Sequence, residues 1–147
     1  EIGWRPGRAE LWRLAVAMGE AHPLLGVGPD NFRWLYGRYA GQPYGDSRVF
    51  ANNTLLEAFA TTGLLGAAAL LFAWLFALAG AAGALRSSLT GPQGETAAAL
   101  VALLAGLAAH GAADYFLAFT GHYLLFGVAI GAASAVARKE APETDPA

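Results

Sequence analysis

The stretch that decides the fold is FANNTLLEAFATTGLLGAAALLFAWL, residues 50–75, where two asparagines precede a segment that becomes entirely apolar. The apolar run continues to residue 85, and residues 63–85 carry no charge. At about 1.5 Å per residue, a helix of that length crosses the roughly 30 Å hydrocarbon core of a bilayer. The stretch therefore predicts a transmembrane helix with two amides at its entrance.

The composition of the whole chain also indicates a membrane protein. Its 147 residues are 56% hydrophobic and only 14% charged, whereas an ordinary soluble domain is about 25% charged. Two further apolar runs, residues 96–114 and 116–137, predict two more spans. We expect an all-α fold, an integral membrane helical bundle with about three transmembrane helices in residues 55–137, and no nucleic-acid partner.

The distribution of basic residues predicts the orientation. Arg86, Arg138 and Lys139 fall on one side if all three helices cross, and the positive-inside rule makes that side cytoplasmic. Residues 1–54 then form an extracytoplasmic loop, and residues 138–147 form a disordered cytoplasmic tail. Because Glu1 opens in mid-loop, without an initiator Met or a signal peptide, we expect the C-terminal part of a larger multi-pass protein. The chain has no cysteine, which excludes disulfides and thiol chemistry.

The first of two short helices predicted in the loop is RAELWRLAVAMGEA, residues 8–21, which ends before Pro23. Its apolar residues form one continuous arc, and Arg8 lies in the middle of that arc. A guanidinium in this position must either extend from the first helical turn into water or meet an anion.

The second predicted helix lies in NFRWLYGRYAG, residues 31–41. It carries an apolar stripe at positions i, i+3, i+4 and i+7, namely Phe32, Leu35, Tyr36 and Tyr39. We interpret this stripe as packing rather than as a surface on which sugars stack. We expect Arg33 and Arg38 to face solvent or lipid headgroups.

The opening stretch has a purely structural interpretation as well. Thr54 followed three residues later by Glu57 fits a capping box, which would start the helix without any chemistry. That interpretation leaves Asn52 and Asn53 unexplained. It also does not explain the spacing of nine residues between Asn53 and Gly63.

Two segments carry a family resemblance. GRAELWRLAVAMGEAHPLLGVGPDNF, residues 7–32, contains Gly-Arg, Trp and His-Pro-Leu-x-Gly-x-Gly-Pro in that order. NNTLLEAFATTGLLG, residues 52–66, has Asn, nine residues, Gly, two residues and Gly after its first position. Both are similar to signatures of the O-antigen ligase and polymerase superfamily of bacterial surface-polysaccharide proteins, and the resemblance covers residues 7–137. In the ligases the first position of the second signature is a histidine, and here it is Asn52.

The resemblance implies a C-type membrane glycosyltransferase of the bacterial inner membrane. Such an enzyme moves a glycan from undecaprenyl diphosphate, its lipid-linked donor, to a glycan or lipid acceptor, and it needs no metal or other cofactor. Arginines would stabilise the charge of the diphosphate leaving group. Arg8 matches the family's loop arginine, so Arg8 and Asn52 are the candidate catalytic residues. The candidate substrate-binding residues are Arg5, Arg48, Asn53 and Asp46.

The missing histidine leaves several alternatives open. An amide cannot accept the proton of an acceptor hydroxyl, so either another group is the base, little base assistance is needed, or transfer activity has been lost. Candidate substitute bases are Asp46, the pair His110 and Asp114 at i and i+4, and His22, which has the character of a turn residue. The sequence does not separate ligase from polymerase. A non-catalytic protein that binds lipid-linked glycan, or assists a partner, is the alternative function.

Overall fold

A computed structural model describes residues 6–43 and 45–138, and this part of the chain is helical and contains no strand. The helices are α1 Arg8–Ala21, α2 Phe32–Tyr39, α3 Thr54–Ser87, α4 Gly91–Ala113 and α5 Thr120–Arg138, with a short 3₁₀ turn at Phe116–Ala118. Residues 1–5, 44 and 139–147 lie outside the described part. The candidate Arg5 and the predicted tail beyond Arg138 therefore lie outside the described residues too.

Helices α3, α4 and α5 are each long and apolar enough to cross a membrane, which confirms the predicted all-α class and the three candidate spans. The bounds differ from the prediction: α3 and α4 begin earlier, and α5 begins later because the 3₁₀ turn precedes it. Helix α3 has 34 residues, more than the roughly 20 that cross a bilayer core, and the predicted span 63–85 leaves residues 54–62 outside it.

Contacts within the chain define two compact units, Glu1–Leu71 with Ala109–Ala118 and Phe72–Ala108 with Phe119–Ala147. In the first unit, α1 and α2 pack together around a small core, which confirms both predicted loop helices. The buried residues of this core are Leu11, Leu14, Ala15, Met18, Phe32, Tyr36, Ala51 and Ala60. Phe32 and Tyr36 are completely buried with stacked rings, and Leu35 and Tyr39 pack against them. The stripe on α2 is therefore packing, as predicted.

The second unit is held by small residues and one tryptophan. Half of its buried positions are alanines, namely Ala77, Ala81, Ala84, Ala97, Ala129 and Ala133, and small residues allow membrane helices to approach closely. Trp74 packs edge-on against Phe126, with 5.2 Å between the ring centroids. Its indole N–H donates to the carbonyl of Leu104 at 3.2 Å, so the polar atom of this buried side chain is satisfied.

Helix α3 is interrupted at Gly63, whose backbone (φ 67°, ψ −166°) is not helical. A break of this kind leaves carbonyl groups before it and N–H groups after it without helical partners. Residues 23–28 of the α1–α2 connection supply the missing partners. Four backbone bonds join the two segments: Val27 N–H to Ala60 O (2.8 Å), Gly28 N–H to Thr61 O (3.0 Å), Leu64 N–H to Pro23 O (2.7 Å) and Leu65 N–H to Leu24 O (3.4 Å).

This joint requires glycine on both sides. Gly26 and Gly63 have φ values of 64° and 67°, which disfavour other residues. A Cβ at Gly26 would collide with the backbone of Thr61, and a Cβ at Gly63 would collide with the carbonyl of Leu24. The HPLLGVG segment and the glycine of the second signature are therefore halves of one structural unit.

Candidate functional site

Residues 50–53 form the segment that leads into α3, and three contacts from other elements hold it. The Glu57 carboxylate accepts the backbone N–H of Ala51 at 2.7 Å. The indole N–H of Trp12, on α1, donates to the carbonyl of Asn52 at 3.4 Å. The Phe50 ring lies 5.4 Å from the ring of Tyr115, which follows α4. The segment is thus fixed by α1, α3 and the connection after α4.

The predicted capping box at Thr54 is wrong, because Asn53 caps the helix. Asn53 Oδ1 accepts the N–H of Leu56 at 3.0 Å, and the Asn53 carbonyl accepts the N–H of Glu57 at 2.9 Å. Thr54 instead donates its hydroxyl to the carbonyl of Asp114 at 3.0 Å. Asn53 immediately precedes the first helical residue, so its short polar side chain can cap the helix, whereas the Thr54 hydroxyl bonds to a neighbouring element.

Asn53 also ties the start of α3 to the end of α4. Its Nδ2 donates to the carbonyl of Ala112 at 3.1 Å, while Oδ1 serves as the cap. Both polar groups of this amide therefore already have partners in the chain. The structure gives Asn53 a structural role, and substrate binding by its amide stays a prediction.

Asn52 has a left-handed backbone, with φ 52°. Asparagine, aspartate and histidine enter this region more readily than other residues with a side chain. The backbone conformation therefore limits which residues are tolerated at position 52, independently of any catalytic role. Sequence reasoning missed this limit. A histidine in this position, as in the ligases that the sequence resembles, would be compatible with the same backbone.

An open pocket of about 400 Å³ lies beside this segment. Three of the candidate residues, Asp46, Arg48 and Asn52, line it, together with Pro6, Leu11, Val49 and Phe50. The loop 45–52 and the first turn of α1 thus place a carboxylate, a guanidinium and an amide around one cavity with partly apolar walls. Small-molecule sites have this general character.

Asp46 and Arg48 form an ion pair within the pocket wall. Arg48 Nε and Nη2 donate to the two oxygens of Asp46 at 3.0 and 2.8 Å. These hydrogen bonds, together with the negative charge of the Asp46 carboxylate, raise the pKa of Arg48. The backbone N–H of Asp46 donates to the hydroxyl of the buried Tyr36 at 2.6 Å, which anchors the loop to the α2 core. The side chain of Arg48 is 81% exposed, so the pair contributes little to stability.

Arg8 lies on the first turn of α1, between Pro6 and Leu11, which both line the pocket. The buried face of this helix consists of Leu11, Leu14, Ala15, Met18 and Gly19, as the predicted apolar arc requires. Arg8 is exposed at the end of that face, and among the residues the structure describes it has no hydrogen bond or ion pair.

Glu57 is a buried carboxyl group that sequence reasoning had assigned only to a cap. Oε2 accepts the Ala51 N–H, but Oε1 is buried without a partner among the described residues. Burial raises the pKa of Glu57 to about 7, and the negative charge of Asp30 raises it further by a smaller amount. The hydrogen bond from the Ala51 N–H and the positive charge of Arg33 act in the opposite direction. The sequence signal was a single carboxylate within the otherwise apolar TLLEAFA.

Arg33 faces solvent only in part, because its side chain is 31% exposed. Its guanidinium bonds the carboxylate of Asp30 and the carbonyl of Ser47, and lies 5.8 Å from the centre of the Phe50 ring. Arg33 therefore braces the loop that carries Asp46 and Arg48. The aromatic neighbours explain this partial burial, because a guanidinium stacks on rings and can be partly buried there. Arg38 is exposed.

The other candidate bases lie outside the pocket lining. His22 caps the end of α1, and its carbonyl accepts the N–H of Gly26 at 2.8 Å, so it is a turn residue as expected. The His110 ring packs edge-on against Phe116, 5.7 Å away, and the Asp114 carboxylate accepts the N–H of Tyr115. Among the described residues no group of three or more His, Asp or Glu side chains could hold a metal ion.

Comparison with known proteins bears on the segment that contains this pocket. Residues 3–71 match the O-antigen ligase family. The match confirms the resemblance noted from the two signatures, and it includes every pocket-lining residue. No curated protein and no solved structure shows a significant match to the chain. The family match and the three long apolar helices together indicate a membrane protein with an O-antigen ligase-like segment.

Proposed function

We propose that this chain is part of a membrane glycosyltransferase that transfers or polymerises a glycan carried on undecaprenyl diphosphate. The observation that carries the proposal is the pocket in which Asp46, Arg48 and Asn52 meet, with Arg8 on the first turn of α1, which also carries the pocket-lining Leu11. All of these residues lie within the segment that matches the O-antigen ligase family. The acceptor is a second glycan or a lipid-linked glycan, at the outer face of the bacterial inner membrane.

Arg8 and Arg48 are the groups we assign to the diphosphate. Breaking the bond between the anomeric carbon and the diphosphate oxygen leaves negative charge on that oxygen. A guanidinium stabilises such charge with paired, charge-assisted hydrogen bonds. Arg8 is unpaired among the described residues, and Arg48 retains N–H groups that Asp46 does not occupy.

Asp46 is the base that the geometry favours, because it alone of the candidate bases lines the pocket. In the proposed step the acceptor hydroxyl oxygen bonds to the anomeric carbon, its proton passes to Asp46, and the diphosphate departs with the bonding electrons. Since the Asp46–Arg48 pair is exposed and weak, a bound diphosphate can draw Arg48 away. Donor binding would then turn the Arg48 guanidinium from Asp46 to the diphosphate, and Asp46 would accept the proton of the acceptor hydroxyl while the Asn52 amide orients that hydroxyl.

The proposed role of Arg8 is tested by measuring how tightly the protein binds undecaprenyl diphosphate. Arg8→Lys keeps the charge but loses the planar fork, so we expect a loss on the order of 1.5–3 kcal/mol, a roughly 10- to 100-fold weaker affinity for undecaprenyl diphosphate. Arg13→Lys is the matched control, because Arg13 pairs with Glu10 on the exposed side of the same helix. Equal donor affinity in both variants would remove Arg8 from the site.

The alternative function is binding of lipid-linked glycan without transfer. The observation that favours it is Asn52, an amide at the position where the ligases carry a histidine. Under this alternative Arg8→Lys still weakens donor binding, but the intact protein transfers no glycan. Measuring transfer and binding on the same preparation separates the two functions.

A further inference from the structure

The segment Pro23–Gly28, here called the PLLGVG loop, has an apolar surface that the function proposed above does not use. It contains no charged residue. Leu24 and Leu25 are exposed, and so are Leu64 and Leu65, which follow the break in α3; the exposed fractions are 63%, 72%, 55% and 60%. These four exposed leucines come from two segments that are hydrogen-bonded to each other, and we treat them as one apolar patch, since exposed apolar patches mark interaction surfaces.

The patch continues the apolar surface of a candidate membrane helix. Leu64 and Leu65 belong to α3, and their N–H groups donate to the carbonyls of Pro23 and Leu24. The loop backbone thus lies directly against the helix at the point where the predicted span begins. We therefore expect Leu24 and Leu25 to meet the same medium as Leu64 and Leu65.

Several polar groups of the loop backbone, although not all of them, are bonded within the protein. Irregular backbone is tolerated at membrane depth only where its polar groups have partners in the protein. The carbonyls of Pro23 and Leu24 and the N–H groups of Val27 and Gly28 bond to α3, and the Gly26 N–H bonds to the carbonyl of His22. Pro23 has no N–H to satisfy.

We propose that the PLLGVG loop is embedded in the outer leaflet, with Leu24 and Leu25 in contact with the acyl chains of the surrounding bilayer lipids. The loop would anchor the α1–α2 head to the membrane at the break in α3. Interfacial elements of this kind place their apolar side chains some 5–10 Å below the headgroups. The proposal does not depend on transfer activity.

The test uses single cysteines, for which this chain offers a cysteine-free background. Leu25→Cys, Leu65→Cys and Arg13→Cys are labelled with the environment-sensitive fluorophore NBD in the intact protein, reconstituted into phosphatidylethanolamine–phosphatidylglycerol vesicles. In the wild type Leu25 and Leu65 are 72% and 60% exposed as whole residues, and the Arg13 side chain is 62% exposed. Similar exposure in the structure means that differences in emission report the surrounding medium.

We expect the label at position 25 to emit at the blue-shifted wavelength seen at position 65. Lipids with a spin label on the acyl chain should quench both positions alike and leave position 13 unaffected. Emission at position 25 that matches position 13, without quenching, would overturn the proposal. So would a blue shift that appears only after undecaprenyl phosphate is added, because the patch would then bind the polyprenyl chain rather than bilayer lipid.

Discussion

The side chain of Glu57 accepts a hydrogen bond from the backbone N–H of Ala51, with 2.7 Å between Oε2 and the nitrogen. Ala51 immediately precedes Asn52, which lines the pocket. A buried carboxyl group on the first turns of α3 therefore positions the segment that enters the proposed site. Its second oxygen is buried without a partner among the described residues, which makes the ionised form costly.

This arrangement predicts that the protein loses stability as the pH rises. Burial raises the pKa of Glu57 from 4.5 to about 7, so the folded state holds a proton that the unfolded state releases. The contribution of Glu57 to the free energy of unfolding is most favourable below pH 4.5 and falls as the pH rises from there through about 7. At 1.36 kcal/mol per pKa unit, the total loss amounts to roughly 3 kcal/mol. Glu57→Gln removes this dependence, and thermal unfolding in detergent between pH 4.5 and 8 measures it.

Glu10→Gln is the matched control for Glu57→Gln. Glu10 is exposed, and its hydrogen bond with Arg13 lowers its pKa, so its replacement should leave the fall in stability above pH 5 unchanged. We expect Glu57→Gln to be more stable than wild type at pH 8. If wild type and Glu57→Gln lose stability in parallel across this range, the buried carboxyl does not account for the pH dependence.

A second prediction concerns the joint between the PLLGVG loop and α3. In Gly63→Ala the new Cβ collides with the carbonyl of Leu24, and the residue is forced into a backbone region that is essentially restricted to glycine. We expect a loss of about 1–3 kcal/mol from backbone strain alone. The thermal unfolding midpoint in detergent should fall, and proteolysis within residues 22–28 should become faster because the loop detaches.

Gly83→Ala is the matched control for Gly63→Ala, because it makes the same substitution elsewhere in α3. Gly83 is in the same helix, and a Cβ there would meet nothing within 4 Å. Alanine has the higher helix propensity, so this variant should be neutral or stabilised by up to about 1 kcal/mol. Equal unfolding midpoints and equal proteolysis rates in the two variants would show that the joint does not hold the loop.

The third prediction is the orientation of the chain in the membrane. Asn53 and Thr54 bond to the carbonyls of Ala112 and Asp114, so the start of α3 and the end of α4 share one side, and Arg86 lies at the other end of α3. We expect Arg38→Cys to react with an impermeant thiol reagent in spheroplasts and Thr90→Cys to react only after lysis. The reverse pattern would invert the orientation and place the pocket in the cytoplasm.

Periodicity in the sequence was sufficient to predict α1, α2 and the class of the fold. The apolar arc of α1 and the stripe on α2 became the buried core of the head, because local spacing alone determines which residues share a helix face. The pocket was partly predictable too. The resemblance singled out Asn52, proximity to it suggested Arg48, and the search for a substitute base suggested Asp46; all three line the pocket.

The features missed from the sequence depend on partners distant along the chain. The break at Gly63 depends on Pro23 and Leu24, and Thr54 bonds Asp114 rather than capping α3. Arg33 is drawn partly from solvent by Ser47 and Phe50. A local pattern such as a capping box identifies groups that can bond, and the tertiary fold decides which of them do.

Transfer of glycan from undecaprenyl diphosphate to acceptor, measured between pH 5 and 9, tests the central claim most directly. Asn52→Gly removes the amide without straining the left-handed backbone, and Asn52→His restores the ligase residue in a conformation it tolerates. We expect transfer to fall in Asn52→Gly, to fall about 100-fold or more in Asp46→Asn, and to follow a group of pKa about 6.5 in Asn52→His. Wild-type transfer rates in both Asn52→Gly and Asp46→Asn, at equal protein levels, would contradict the assignment of this pocket as the site of transfer.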